Sequence, residues 1–206
     1  MRLPEAVLFA APARYPVSLA EAKNHCRLES DFTEDDALID AAIAMATEQA
    51  ELRTGRQLIT ATYDFYFDGF PYCRDARGEL AFEILRPKLQ SIISIKYVQD
   101  SDGTLATLDT AAYRVDTTSV FGRAVLAYRQ SWPTGVRSQS NSVVIRAVCG
   151  YGDNMGDVPQ SIRNWMLVRI GTAYENREAL ADRQTYELQR PFIDGLLDAE
   201  TVRSII

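Results

Sequence analysis

The chain has 206 residues, 47% of them hydrophobic, and a formal net charge of −6. That is apolar material for one sizeable core, or a core plus a lobe. The acidic balance disfavours non-specific duplex binding, which needs clustered Lys and Arg against phosphate, and no apolar run reaches the roughly 20 residues of a membrane span.

In chain order, Met1 to Ala10 faintly mimics a signal peptide, but Pro4 and Glu5 interrupt a short apolar stretch. It reads as an N-terminal arm. Ser18 and Glu21 have the spacing of a capping box, in which the serine oxygen takes an orphan N–H and the glutamate reaches back. A short amphipathic helix through Leu19, Ala22, Lys23 and Cys26 follows. Thr33 is the expected N-cap of a second helix, with Glu34, Asp35 and Asp36 in a first turn whose dipole favours negative charge. Leu38, Ile39, Ala42, Ile43, Ala46 and Ala50 recur at helical spacing, and Gly55 is the expected stop.

From about Leu58 to Gly152 the pattern changes to strands. Thr60 to Asp68 alternates Tyr63, Phe65 and Phe67 with Asp64, Tyr66 and Asp68. Phe82–Leu85 and Ile92–Val98 read as strands, the second turning at Asp100-Ser101-Asp102-Gly103 and returning through Thr104 to Leu108 as a hairpin. Tyr113–Val115, Ala124–Tyr128 and Ser142–Cys149 complete the set. Short strands with no helices between them predict an antiparallel sheet or small barrel. Pro159 then opens a long helix, Gln160 to Arg177, with a broad apolar stripe through Ile162, Trp165, Met166, Ile170 and Tyr174. A polar stretch, Asn176 to Tyr186, leads to an apolar tail containing Leu196, Leu197, Val202, Ile205 and Ile206.

The expected fold is therefore α+β: a small helical bundle of two N-terminal helices and one long C-terminal helix, with an inserted antiparallel β-sheet domain. Its expected divisions are an arm over 1–15, a helical core over 16–58 and 158–180, a β domain over 59–157 and a C-terminal arm over 181–206. The apolar tail either packs back on its own domain or docks on a partner; docking is favoured, which makes Leu196, Leu197, Val202, Ile205 and Ile206 the candidate partner-binding residues.

Residues that could carry chemistry are few. His25 is the one histidine and lies within the first helix, with no second histidine or placed nucleophile to work with. Asp31, Glu34, Asp35 and Asp36 lack calcium-loop spacing and are explained by capping. Gly150-Tyr151-Gly152-Asp153-Asn154-Met155-Gly156-Asp157 has no following Lys and places aspartates where a phosphate would sit, so it reads as a connection and not a phosphate cradle. Cys26, Cys73 and Cys149 are far apart with no C-x-x-C pair, which argues against a disulfide framework or zinc site and suits reduced thiols. Tyr63, Tyr66, Phe65, Phe67, Phe70 and Tyr72 could form a base-stacking platform, but strand alternation without interleaved Arg or Lys predicts a core. No cofactor, metal or catalytic constellation is expected.

Four local patterns, taken in order, resemble a known family. They are Pro16-Val17-Ser18-Leu19-Ala20-Glu21-Ala22-Lys23, then Asp35-Asp36-Ala37-Leu38-Ile39 with Thr54-Gly55-Arg56-Gln57-Leu58, then Arg86-Pro87-Lys88-Leu89-Gln90-Ser91-Ile92, and finally Gly150-Tyr151-Gly152, Val158-Pro159 and Tyr174-Glu175-Asn176-Arg177-Glu178. The series resembles the head–tail connector (adaptor) proteins of tailed bacteriophages, the members with a β insertion. The resemblance implies a structural virion protein, made in the bacterial cytoplasm and placed in the neck, with no catalytic residues. It implies a ring, usually of twelve subunits, under the portal protein, extending the DNA channel and joining the capsid to the tail. The implied partners are the portal protein, neighbouring copies, a stopper or tail-completion protein, and genome DNA passing through an acidic or neutral lumen without specific binding. No membrane is involved. The alternatives are a tail-completion or stopper protein, and a phage-encoded hydrolase, which would need a pocket with convergent polar groups.

Overall fold

A computed structural model describes residues 5–74, 77–176 and 193–202. The helices form where capping and apolar periodicity coincide. Helix α1 (Leu19–His25) begins at Ser18, whose hydroxyl accepts from the Glu21 N–H. The Glu21 carboxylate itself is taken by Arg163 of the last helix, at 2.7 and 2.8 Å. Helix α2 (Asp36–Thr54) ends at Gly55 in the left-handed conformation, φ 68°, where a side chain would be strained. Helix α3 (Gln160–Glu175) starts directly after Pro159.

The start of α2 differs from expectation. Its N-cap is Asp35 and not Thr33, and Asp36 is the acid in its first turn. The cause is Lys23, buried at 5% exposure, whose ammonium takes the carbonyls of Ser30 and Phe32 and the carboxylate of Asp36 at 2.9 Å. That grip folds the connection between the helices around one charge, and regular helix begins only after it.

The strands are β1 (Glu5–Ala10), β2 (Ala61–Phe67), β3 (Ala81–Ile84), β4 (Leu89–Val98), β5 (Leu105–Thr107), β6 (Tyr113–Asp116), β7 (Gly122–Leu126) and β8 (Val143–Cys149), with β8 alternating buried and half-buried residues along its length. All pair antiparallel, in a five-stranded sheet of order β1-β2-β8-β4-β5 and a three-stranded sheet of order β3-β7-β6. The expected α+β class, with three helices and antiparallel sheet, is what the described residues adopt. One element was not anticipated: the N-terminal segment read as an arm contributes β1, paired along β2 from Glu5↔Tyr66 to Ala10↔Thr62.

By its internal contacts the chain divides into two units. One holds the first strand and Thr60–Tyr151; the other holds Pro12–Ile59 and the chain from Gly152 on. In the first, both sheets share one core containing Phe65, Phe82, Ile84, Ile95 and Ile145. Phe67, Phe70, Phe82 and Trp132 form its aromatic centre, with Phe67 and Phe82 at 4.7 Å and Phe70 stacked on Trp132 at 5.1 Å. In the second, Ala42, Ala46 and Ala50 of α2 are buried at four-residue spacing, with Ile39, Ile43, Ile162, Trp165, Met166 and Ile170 around them. Small residues in that row let helix axes approach closely, and each large side chain buried there contributes about 1.5–3 kcal/mol.

Candidate functional site

The residues with catalytic potential are occupied by structure. His25 is exposed, and its ring lies over Gly171, 3.3 Å from where a β-carbon would stand. Of the acids around the α1–α2 connection, Asp36 pairs with Lys23 and Asp35 accepts the Tyr174 hydroxyl at 2.6 Å. Burial pushes the Cys149 thiol up to about 12 and also raises Cys26, the opposite of an activated nucleophile; Cys73 is exposed. Among the described residues, no cluster of three or more His, Cys, Asp or Glu could hold a metal ion, and no helix is long and apolar enough to cross a membrane.

The glycine-rich run is a shaped connection. Asn154 and Asp157 cap each other around a short 3-10 turn, the Asn154 N–H donating to Asp157 at 2.9 Å. A β-carbon on Gly152 would stand 2.3 Å from the Asp157 carboxylate, so glycine is required there by close approach. Of the aromatics, Tyr63, Phe65 and Phe67 are buried in the sheet core, whereas Tyr72 is 85% exposed. A shallow cleft on the helical unit is lined by Leu38, Ala41, Ala42, Met45, Ala173 and Tyr174; it is apolar and lacks convergent polar groups.

Two charge networks brace the sheet unit. Arg123, 4% exposed, donates to Asp116 at 2.8 Å and lies 3.1 Å from Glu79. Hydrogen bonds from Thr118, then Arg123 and Ser119, hold the Asp116 carboxyl well below the usual carboxylate range. Across β2 and β8, Arg146 grips Asp64 through two bonds of 2.8 Å, with the Phe9 ring stacked on its guanidinium. This pairing allows Asp64 to sit at 8% exposure without an unpaired charge.

The candidate partner-binding residues have different fates. Leu197 is 2% exposed, within the helical unit, so it packs back on its own chain. Asp194 beside it accepts from Trp165 Nε1 at 3.2 Å and pairs with Arg53 at 2.8 Å. Partial burial pushes the Asp194 carboxyl up, but the Trp165 N–H, Arg53 and Arg169 together bring it below its ordinary value. Arg56 donates to the Glu200 carbonyl, and the Val202 N–H donates to the Thr54 carbonyl at 2.9 Å. Leu196 and Val202 are half-buried; Ile205 and Ile206 lie outside the described residues.

Sequence reasoning missed a second class of surface, the sheet edges. All six residues of β1 are exposed, Phe9 at 57%, and Leu105 of β5 is 62% exposed. The available signal was the apolar stretch of five residues from Ala6 to Ala10, with no Lys or Pro within it to blunt it.

Comparison with known proteins follows the same line. No curated protein sequence matches the chain. Solved structures share its fold over nearly full length. A chain from the neck of an empty GTA particle computed with C6 symmetry is 19% identical, with 97% of this chain and 96% of that chain covered at a TM-score of 0.73. A chain from the virion of a native gene transfer agent (GTA) particle is 20% identical, covering 96% of each chain at 0.69. One from the neck of a native GTA particle computed with C12 symmetry is 17% identical, covering 98% and 97% at 0.67. Residues 16–99, which span α1, α2 and strands β2 to β4, match the family described as phage gp6-like head-tail connector protein. Over that segment the chain is similar to the head-tail connector proteins of the gp6-like type.

Proposed function

We propose that the chain is one subunit of a ring in the neck of a phage or phage-like virion, docked under the portal, extending the DNA channel and joining capsid to tail. One observation carries this reading: the connector family's pattern over residues 16–99 sits within a fold that matches neck subunits of symmetric particles over 97% of the chain. The net charge of −6 supports a lumen that is acidic or neutral, past which DNA slides without trapping. Leu196, Val202, Ile205 and Ile206 remain the part of the C-terminal segment proposed to contact the portal or a neighbouring copy; Leu197 is committed to its own unit.

Purified protein mixed with portal and imaged by negative-stain microscopy tests the reading. Rings on the portal are the expected result. Binding to tail components with no affinity for portal would replace it with a stopper or tail-completion role.

A further inference from the structure

Among the described residues, no strand pairs with the outer edge of β1 or of β5 in the five-stranded sheet, and the two edges differ. β1 pairs with β2 on one side, and its six residues are all exposed, Val7 at 45%, Leu8 at 49% and Phe9 at 57%. Among the described residues, β5 pairs with β4 alone. Along that ladder the Gln99 N–H donates to the Thr104 carbonyl and the Leu108 N–H to the Ile95 carbonyl, at 2.9 and 2.8 Å. Antiparallel alternation then directs the backbone groups of Thr104, Ala106 and Leu108 at β4, and those of Leu105 and Thr107 outward. Leu105 is 62% exposed on this second edge.

Soluble proteins blunt sheet edges with Lys, Pro or a covering segment, because a bare edge is a template for another strand. The sequence EAVLFA has one charge, at its first residue, and neither Lys nor Pro. Its register shift between Leu8 and Ala10 sets the Phe9 ring on Arg146 and leaves Val7 and Leu8 uncovered. An apolar, unblunted strand at one end of a sheet and an open, apolar-tipped strand at the other are two unlike surfaces on one chain. A cyclic ring of identical subunits requires that property, since each copy must offer one surface to the neighbour before it and a different one to the neighbour after.

We propose that β1 of one copy adds to β5 of the next, so that the five-stranded sheet runs on from subunit to subunit. The occupant of each edge is a second copy of this chain, and the inference rests on the ring reading above. Backbone pairing at Leu105 and Thr107 supplies direction, and Leu105 packing against the one of Val7 and Leu8 that shares its sheet face supplies apolar contact. Pairing of β1 with β1 would instead be two-fold and would close a dimer.

The test uses full-length protein carrying Cys73→Ser, which removes the exposed thiol. Ala6→Cys and Thr107→Cys are made singly and together, assembled on portal and treated with a short bismaleimide, with rings scored by microscopy. The sheet's order gives β1 and β5 the same direction, so the added strand pairs in parallel, and neighbouring strands lie about 4.7–4.9 Å apart, well inside the linker's reach. Rings in every sample, a covalent dimer only when the two single variants are mixed, and a ladder of higher multimers from the double variant are expected. Rings with no cross-link in the mixture overturn the edge pairing and leave the ring reading standing. Self-cross-linking of Ala6→Cys alone shows a two-fold edge and also overturns it. Absence of rings from the wild-type protein defeats the ring reading, and the pairing with it. As a second variant, Val7→Lys should melt as wild type yet assemble at least tenfold less well; unchanged assembly overturns the proposal.

Discussion

Substituting Lys23 by Met keeps most of the aliphatic stem and removes the ammonium. In the folded protein that ammonium serves two backbone carbonyls, of Ser30 and Phe32, and the Asp36 carboxylate at 2.9 Å, from a side chain only 6% exposed. Breaking a fully buried ion pair costs about 3–5 kcal/mol because the surviving charge is stranded. Asp36 is 28% exposed and sits in the first turn of α2, so water and the helix dipole compensate part of the loss. The two carbonyls add about 1 kcal/mol each, reduced where they rehydrate. The expected net cost is therefore about 2–3 kcal/mol. Urea unfolding reads it, with Trp165 fluorescence as reporter in a Trp132→Phe background; the chain's two tryptophans fall one in each unit, so Trp165 follows the helical unit alone. At an m-value near 2 kcal/mol/M the midpoint should fall by about 1–1.5 M. Asp36→Asn combined with Lys23→Met should cost about 1 kcal/mol less than the sum of the single changes. A midpoint shift below about 0.25 M, or strict additivity of the pair, would refute the view that this one charge organises the α1–α2 connection.

Three further outcomes are expected. Because the folded-state pKa of Asp116 is depressed, its contribution is present above the ordinary carboxylate range and is lost as pH falls through about 4 and below; Asp116→Asn should lower the melting temperature at pH 7 and flatten its decline between pH 5 and 3, as read by calorimetry. Gly152→Ala should destabilise by about 1–3 kcal/mol in urea melts, since the new methyl displaces Asp157 and breaks its bond to the Asn154 N–H. A thiol reagent at pH 8 should modify Cys73 rapidly and Cys149, buried and pushed up to about 12, only as fast as the sheet unit opens; mass spectrometry of the labelled peptides distinguishes them.

The sequence by itself determined the local elements and their class. The Ser18 cap, the Gly55 stop, the apolar spacing of α2 and α3, and the period-two alternation of β2 and β8 are written in neighbouring residues, because capping, glycine conformation and side-chain periodicity act over a few positions. The head–tail connector resemblance was legible for the same reason, in short motifs around helix ends and strand entries. Only the tertiary structure decided what distant groups do together. The order β1-β2-β8-β4-β5 pairs Phe65 with Ile145 and Leu8 with Tyr63, partners far apart in sequence whose contact no local pattern encodes. Lys23 reads only as one position of a short amphipathic helix until Ser30, Phe32 and Asp36 close on it. Leu197 reads as free to dock until the helical unit buries it. β1 reads as an arm because a strand at a sheet edge takes half its meaning from the neighbour that pairs with it, and that neighbour, β2, begins some fifty residues later. The open edges at β1 and β5 are likewise a property of the assembled sheet. An edge exists only once every other strand has taken its place.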